Sequence, residues 1–170
     1  MKKVVMLIAK DRFRDEEYLQ PKSVFAKGKI EVVTASSSKG TAKGMLGATQ
    51  NVDITINEID VRNYDAVIFV GGVGSSEYWD NPVAHKIAQE TIKQNKILAA
   101  ICIAPVTLAK AGLLKGKKAT VFSSEKDELK NSGAIYTGKN VEIDGKIITS
   151  SGPQVAKEFG EKILELIENK

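Results

Sequence analysis

Cys102 is the only cysteine in the chain, and it stands where the apolar run KILAAIC meets a helix-like segment, PVTLAKAGL. A thiol at a strand-to-helix junction is held on a tight turn and faces the positive end of a helix dipole, which lowers its pKa toward the thiolate. Ala100 and Ala104, two places to either side, are the small residues that the sharp backbone reversal of a nucleophile elbow requires. A thiolate in that setting adds to carbonyl carbon and needs a proton partner and donors for the developing oxyanion. The proton partner is sought among Asp15, Glu16 and Glu17. Helical spacing from Glu17 reaches Pro21, Val24 and Phe25, so Glu17 opens the core-facing stripe. Asp15 and Glu16 are expected to point elsewhere and to favour the helix N-terminus electrostatically. Desolvation would raise the Glu17 pKa, and a proton shared with the thiol would favour a protonated acid beside a thiolate.

Oxyanion donors are available from the backbone of Gly71, Gly72 and Gly74 and from the amide of Ile103, the residue after the thiol. Tyr78 and Trp79 in the same glycine-rich loop, GGVGSSEYWDN, are expected to wall a small pocket or, for the tryptophan, to anchor that loop against the domain. The loop is not a dinucleotide fingerprint, because that motif follows the first strand and here the first strand runs into KDRFRDEE, which has no glycine. The single histidine, His85, lies in NPVAHKIAQET on the side away from Ala84, Ile87 and Ala88, and reads as a solvated helix residue rather than a base for the thiol. Neither Ser123-Ser124 nor Ser150-Ser151 has a histidine partner for a hydrolase triad.

These residues need elements to position them. Short apolar runs (VVMLIA, KIEVVTAS, DAVIFVGG, KILAAIC) alternate with helical patterns, which argues for βαβ units on a mostly parallel sheet. Strands that are apolar throughout, such as 66–70 and 97–101, fit a sheet covered on both faces, hence a three-layer α/β/α sandwich. In such a sheet ligands bind beyond the carboxyl ends of the strands, where the acidic KDRFRDEEY, the glycine loop and Cys102 all fall. Asn81-Pro82 supplies a helix start, and Gly112 a stop after 105–111. Segment 37–60 is irregular enough to hold a small hairpin, and Asp144-Gly145 predicts another. A final helix over about 154–169 would present Ala156, Phe159, Ile163 and Leu166 to the core.

Composition narrows the function. The 170 residues are expected to form one domain. One cysteine and one histidine are too few for a disulfide framework or for a zinc or histidine metal centre, and neither metal nor cofactor is expected. The thiol implies a reducing, cytoplasmic setting. The net charge of +4 comes from lysine, with arginine only at 12, 14 and 62, and the densest basic stretch, LLKGKKAT, has no interleaved aromatics; no nucleic-acid partner is expected. No apolar run nears the roughly 18 residues that span a bilayer, so no membrane anchor is expected.

The blocks VVMLIAKDRFRDEEYLQP, YDAVIFVGGVGSSEYWDNP, AAICIAPVTLAKAGLLKGKKAT and IITSSGPQ resemble the ThiJ/PfpI superfamily over nearly the whole chain. The resemblance implies a flavodoxin-like, class I glutamine-amidotransferase-like fold. It also implies a nucleophilic Cys102, a hydrogen-bonded Glu17 and oxyanion-hole amides at Gly72 and Ile103. Gly71, Tyr78, Trp79 and Ser151 are the candidate pocket residues. Peptidase-like members carry histidine directly after the cysteine, where this chain has Ile103, and deglycase-like members often have an accessory histidine where TVFSSEKD offers Phe122 or Ser123. The expected activity is therefore cofactor-free chemistry on a small aldehyde or a glycated protein, of glyoxalase or deglycase type. A PfpI-type peptidase and a redox-sensing stress protein are the alternatives. Relatives are usually homodimers or larger.

Overall fold

The computed structural model describes residues 1–169. In chain order it contains β1 (Lys3–Leu7), β2 (Asp11–Phe13), α1 (Asp15–Lys27), β3 (Glu31–Ser36), β4 (Gly40–Gly44), β5 (Thr49–Val52), β6 (Ile54–Thr55), β7 (Ala66–Phe69) and α2 (Pro82–Lys93). Then follow β8 (Ile97–Ile101), α3 (Pro105–Lys110), β9 (Lys118–Ala119), α4 (Lys126–Asn131), β10 (Ile135–Tyr136), β11 (Val141–Asp144), β12 (Ile147–Ser150) and α5 (Ala156–Glu168). Seven strands form one sheet in the order β11-β12-β8-β7-β1-β3-β6, parallel except for β11.

The alternation of side chains along β1 shows why its sequence is apolar throughout. Val4, Met6 and Ile8 enter a core shared with Tyr18 and Phe25 of α1 and Phe159 and Ile163 of α5. Val5 and Leu7 enter the opposite core, with Ala84 and Ile87 of α2 and Val106 and Leu108 of α3. Both faces are covered, as a parallel sheet requires. The three-layer α/β/α arrangement is the one expected, and among the described residues no helix is long and apolar enough to cross a membrane.

Local signals act as read. Asn81 Oδ1 accepts from the amides of Val83 and Ala84 at 2.9 and 3.1 Å and starts α2. The Asp144-Gly145 turn joins antiparallel β11 and β12, and the irregular 37–60 segment does contain a hairpin, β4–β5.

Two expectations are corrected. Asp15 does not point away but is 6% exposed, with its two carboxylate oxygens accepting from Leu46 and Ala48 amides at 2.8 Å each. It clamps the β4–β5 turn to the start of α1, a partnership with a distant loop that helical periodicity cannot reveal. In α5 the fully buried residue is Ile167, while Leu166 packs against the same core only partly buried. Ten residues beyond Ala156 a helical side chain is turned about 80° off the stripe, whereas eleven residues bring it back within about 20°.

Candidate active site

β7 and β8 end side by side, with Phe69 in register with Ala100, and β12 flanks β8 on its other side. The segment after β8 carries Cys102 at φ 65°, in the left-handed region that a side chain with a Cβ enters only at a cost of about 1–2 kcal/mol. The surroundings hold it there. The Cys102 amide donates to the Ser150 carbonyl at 2.9 Å, and its carbonyl accepts from the Phe122 amide at 2.8 Å. The amide of Ala104 donates to the Ile101 carbonyl at 3.1 Å and closes the turn. Ala100 and Ala104 are both buried. The strand-to-helix elbow read from their spacing is present.

Glu17 faces this turn from the first turn of α1. It is 0% exposed, and neither carboxylate oxygen has a hydrogen-bond partner of full geometry among the described residues. Burial pushes its pKa up to about 8, against the opposing pull of the Cys102 thiol, the Arg14 charge and the Gly71 amide. Glu17 therefore carries a proton at neutral pH.

The thiol departs from expectation. Burial first, and then a charged Glu17, push Cys102 up to about 12, while the amides of Gly72 and Ile103 pull it back. The expected lowering by a helix dipole fails because α3 has only six residues and the sulfur lies in a mostly apolar recess, 8% exposed. With Glu17 protonated, its repulsion of a thiolate is absent up to about pH 8. The resting pair is thus a neutral thiol beside a neutral acid. Its first ionisation leaves one proton between the two groups.

Two glycines permit this proximity. A Cβ on Gly71 would lie 2.6 Å from both the Cys102 Cβ and the Ile101 carbonyl, and would overlap a Glu17 oxygen. Gly72, at φ 104°, is packed against the backbone of residues 12–14, so its amide can face the sulfur only without a side chain. A Gly71→Ala variant is expected to lose about 1–3 kcal/mol of stability and to separate Glu17 from Cys102. Urea denaturation, together with the rate of Cys102 alkylation, checks this; wild-type values for both would contradict the packing described.

Above the pair is a cavity of about 190 Å³ lined by Arg14, Glu17, Met45, Gly72, Val73, Cys102, Ile103, Phe122, Ser124 and Pro153. Arg14, Met45, Val73 and Pro153 carry no signal for the site in the sequence, and Ser124 enters there only as a serine without a histidine partner. Arg14 pairs with Glu16 at 3.0 Å, which raises its own pKa, and its charge acts on both Glu17 and Cys102. The others arrive on a hairpin turn and on short 3-10 segments that only the tertiary fold brings together.

Several candidate pocket residues lie elsewhere. Tyr78 is buried and donates to the Ile8 carbonyl at 2.7 Å. Trp79 reaches the elbow from outside the cavity. Ser151 is absent from the lining, its amide bonded to the Asn140 carbonyl at 3.0 Å. Gly71 lies beneath the pair rather than in the cavity wall. His85 stays out of the site as expected, but it is half-buried rather than solvated, with Nε2 at 2.6 Å from the Trp79 carbonyl. A larger open groove of about 720 Å³ runs between residues 56–62 and α2, with no cysteine, serine or histidine in its lining.

The structure is that of a three-layer α/β/α protein with a cysteine elbow at the carboxyl edge of its parallel strands. The chain is a member of the DJ-1/PfpI family, whose model matches residues 2–166. It is 44% identical over 169 residues to uncharacterized protein MJ0967 of Methanocaldococcus jannaschii, covering 98% of this chain and 82% of that one. It is 33% identical over 149 residues to deglycase TK1284 of Thermococcus kodakarensis, covering 88% and 90% of the two chains. It is also 29% identical over 167 residues to glutathione-independent glyoxalase DJR-1.2 of Caenorhabditis elegans, covering 98% and 89%. Among solved structures, the ThiJ/PfpI domain protein of Brachyspira murdochii superposes with a TM-score of 0.97 at 29% identity, covering 99% and 97%.

Proposed function

We propose that the protein is a cofactor-free enzyme that converts small α-oxoaldehydes, with Cys102 as nucleophile and Glu17 as the proton shuttle. The carrying observation is the buried thiol–carboxyl pair, faced by the Gly72 and Ile103 amides, at the floor of a cavity of only about 190 Å³. That space suits a few heavy atoms, well below the roughly 300–1,000 Å³ of sites for larger ligands. Relatives named deglycase and glyoxalase support the same chemistry.

In the singly ionised pair, Glu17 takes the thiol proton and the sulfur adds to the aldehyde carbon. A C–S bond forms, the carbonyl π pair moves to oxygen, and the alkoxide is met by the amides of Gly72 and Ile103. Glu17 protonates that alkoxide to the hemithioacetal, then as carboxylate takes the proton from the same carbon and, through an enediol, returns one to the neighbouring carbonyl carbon. A thioester of the 2-hydroxy acid results. Water hydrolyses it, breaking the C–S bond and regenerating the thiol. Only water is consumed besides the aldehyde, so no redox partner is required.

A peptidase reading would need its histidine or acid from a neighbouring subunit, since His85, the chain's one histidine, is bonded to Trp79 outside the cavity. The test is to incubate the purified protein with methylglyoxal and follow its loss together with D- and L-lactate release. Lactate formed by wild-type protein upholds the reading, and methylglyoxal left intact overturns it.

A further inference from the structure

Trp79 and His85, the only tryptophan and the only histidine of the chain, are linked in series to the elbow. The indole Nε1–H donates to the Ile103 carbonyl at 3.2 Å, and the Trp79 carbonyl lies 2.6 Å from His85 Nε2. A carbonyl oxygen can only accept, so His85 Nε2 carries the hydrogen. His85 sits in the first turn of α2, whose start is fixed by the Asn81 cap. On the other side of the loop Tyr78 is tied to the Ile8 carbonyl at the end of β1. Both ends of the link are therefore anchored in the sheet–helix framework.

The target of the link is the residue whose amide faces the sulfur. Ile103 is gripped from two directions. The peptide that bears its N–H has its oxygen, the Cys102 carbonyl, held by the Phe122 amide at 2.8 Å. The following peptide has its oxygen held by the Trp79 indole and by the Val106 amide, the latter at 3.2 Å. Ile103 itself is only half-buried, and α3 is only six residues long, so the helix that follows gives little rigidity of its own.

We propose that His85 and Trp79 are positioning residues that hold Ile103 so that its amide stays aimed at the sulfur of Cys102. The inference rests on reading Cys102 as the nucleophile but not on which carbonyl it attacks. His85 acts through Trp79, and Trp79 acts through Ile103; neither lines the cavity. Loss of either link loosens the Trp79 hold on the Ile103 carbonyl, leaves the Val106 and Phe122 amides as the remaining holds, and weakens one of the two amide contacts that favour the thiolate.

The experiment measures alkylation of Cys102 by iodoacetamide from pH 6 to 10 in the wild type and in Trp79→Phe, His85→Ala and His85→Gln. Circular dichroism shows that each variant is folded. Phenylalanine keeps the ring and removes the N–H; glutamine keeps an N–H donor. The rate at pH 8 is expected to fall about three- to tenfold in Trp79→Phe and His85→Ala, the worth of one hydrogen bond, with the pH profile displaced upward. His85→Gln is expected to retain most of the wild-type rate. Wild-type profiles in Trp79→Phe and His85→Ala overturn the proposal, as does a His85→Gln rate no better than that of His85→Ala. Methylglyoxal turnover is read in parallel. Wild-type protein that spares methylglyoxal, while the alkylation rates separate as expected, defeats the small-carbonyl reading alone.

Discussion

A Cys102→Ser protein is expected to keep its fold and to lose methylglyoxal turnover by at least about a thousandfold. Serine fits the space of the thiol, but its hydroxyl ionises far less readily, and the recess that already raises the thiol penalises an alkoxide more. Glu17→Gln is expected to be nearly as severe, with kcat reduced about 10²- to 10⁴-fold and KM little changed. Glutamine preserves the volume beside Gly71 but cannot take or return a proton. Wild-type turnover should rise as pH passes through about 8, where the pair gives up its first proton. Kinetics of the three proteins from pH 6 to 9 test all of this, and unchanged kcat in either variant removes that residue from the mechanism.

Glu17→Gln is also expected to stabilise the protein at alkaline pH. In the unfolded chain Glu17 ionises near 4.5, whereas in the folded protein it keeps its proton up to about 8. Between those values the native state binds more protons than the unfolded one, so the stability due to this group falls as pH rises. No penalty is present below about pH 4.5; above about pH 8 the full cost, on the order of 5 kcal/mol, has accumulated. Cys102, also raised, adds to the fall only above its reference value of 9.0. Urea unfolding at pH 5, 6, 7 and 8.5 should therefore give a steep decline for wild type and a shallow one for Glu17→Gln. Parallel curves would mean that Glu17 is ionised in the folded protein. A buried carboxyl without a good hydrogen-bond partner is a cost to the fold, tolerated at the position where the chemistry needs a proton donor and acceptor.

Much of the framework was legible because it is written in local patterns. Apolar strands alternating with helical stripes indicate a covered parallel sheet, and such a sheet places the ends of β1, β7 and β8 on one edge. Helical spacing sets Glu17 on one stripe with Pro21, Val24 and Phe25, and all four are buried. What periodicity cannot carry is the identity of distant partners. Asp15 looks like a helix-start charge until the Leu46 and Ala48 amides meet it. Trp79 and Tyr78 share the loop of the oxyanion glycine, yet neither lines the cavity, because adjacent side chains leave a turn in different directions. The thiol's electrostatics escape the sequence for a related reason. The sequence displays a short helix after the cysteine, stopped by Gly112, but not the depth of burial, and burial outweighs the dipole of so short a helix.

The bond from the Cys102 amide to the Ser150 carbonyl joins residues 48 apart in sequence, through the pairing of β8 with β12. During synthesis the chain emerges from its N-terminus, so Glu17, the glycine loop and Cys102 are all exposed to solvent before β12 has been made. Without β12 the elbow lacks one of the two backbone contacts that hold its left-handed turn. The final strand inserts beside β8 and completes the recess in which that thiol becomes buried. A nascent or C-terminally truncated chain thus lacks the chemistry of the finished protein, and proteolytic loss of residues after about 145 should remove activity without touching any residue of the pair.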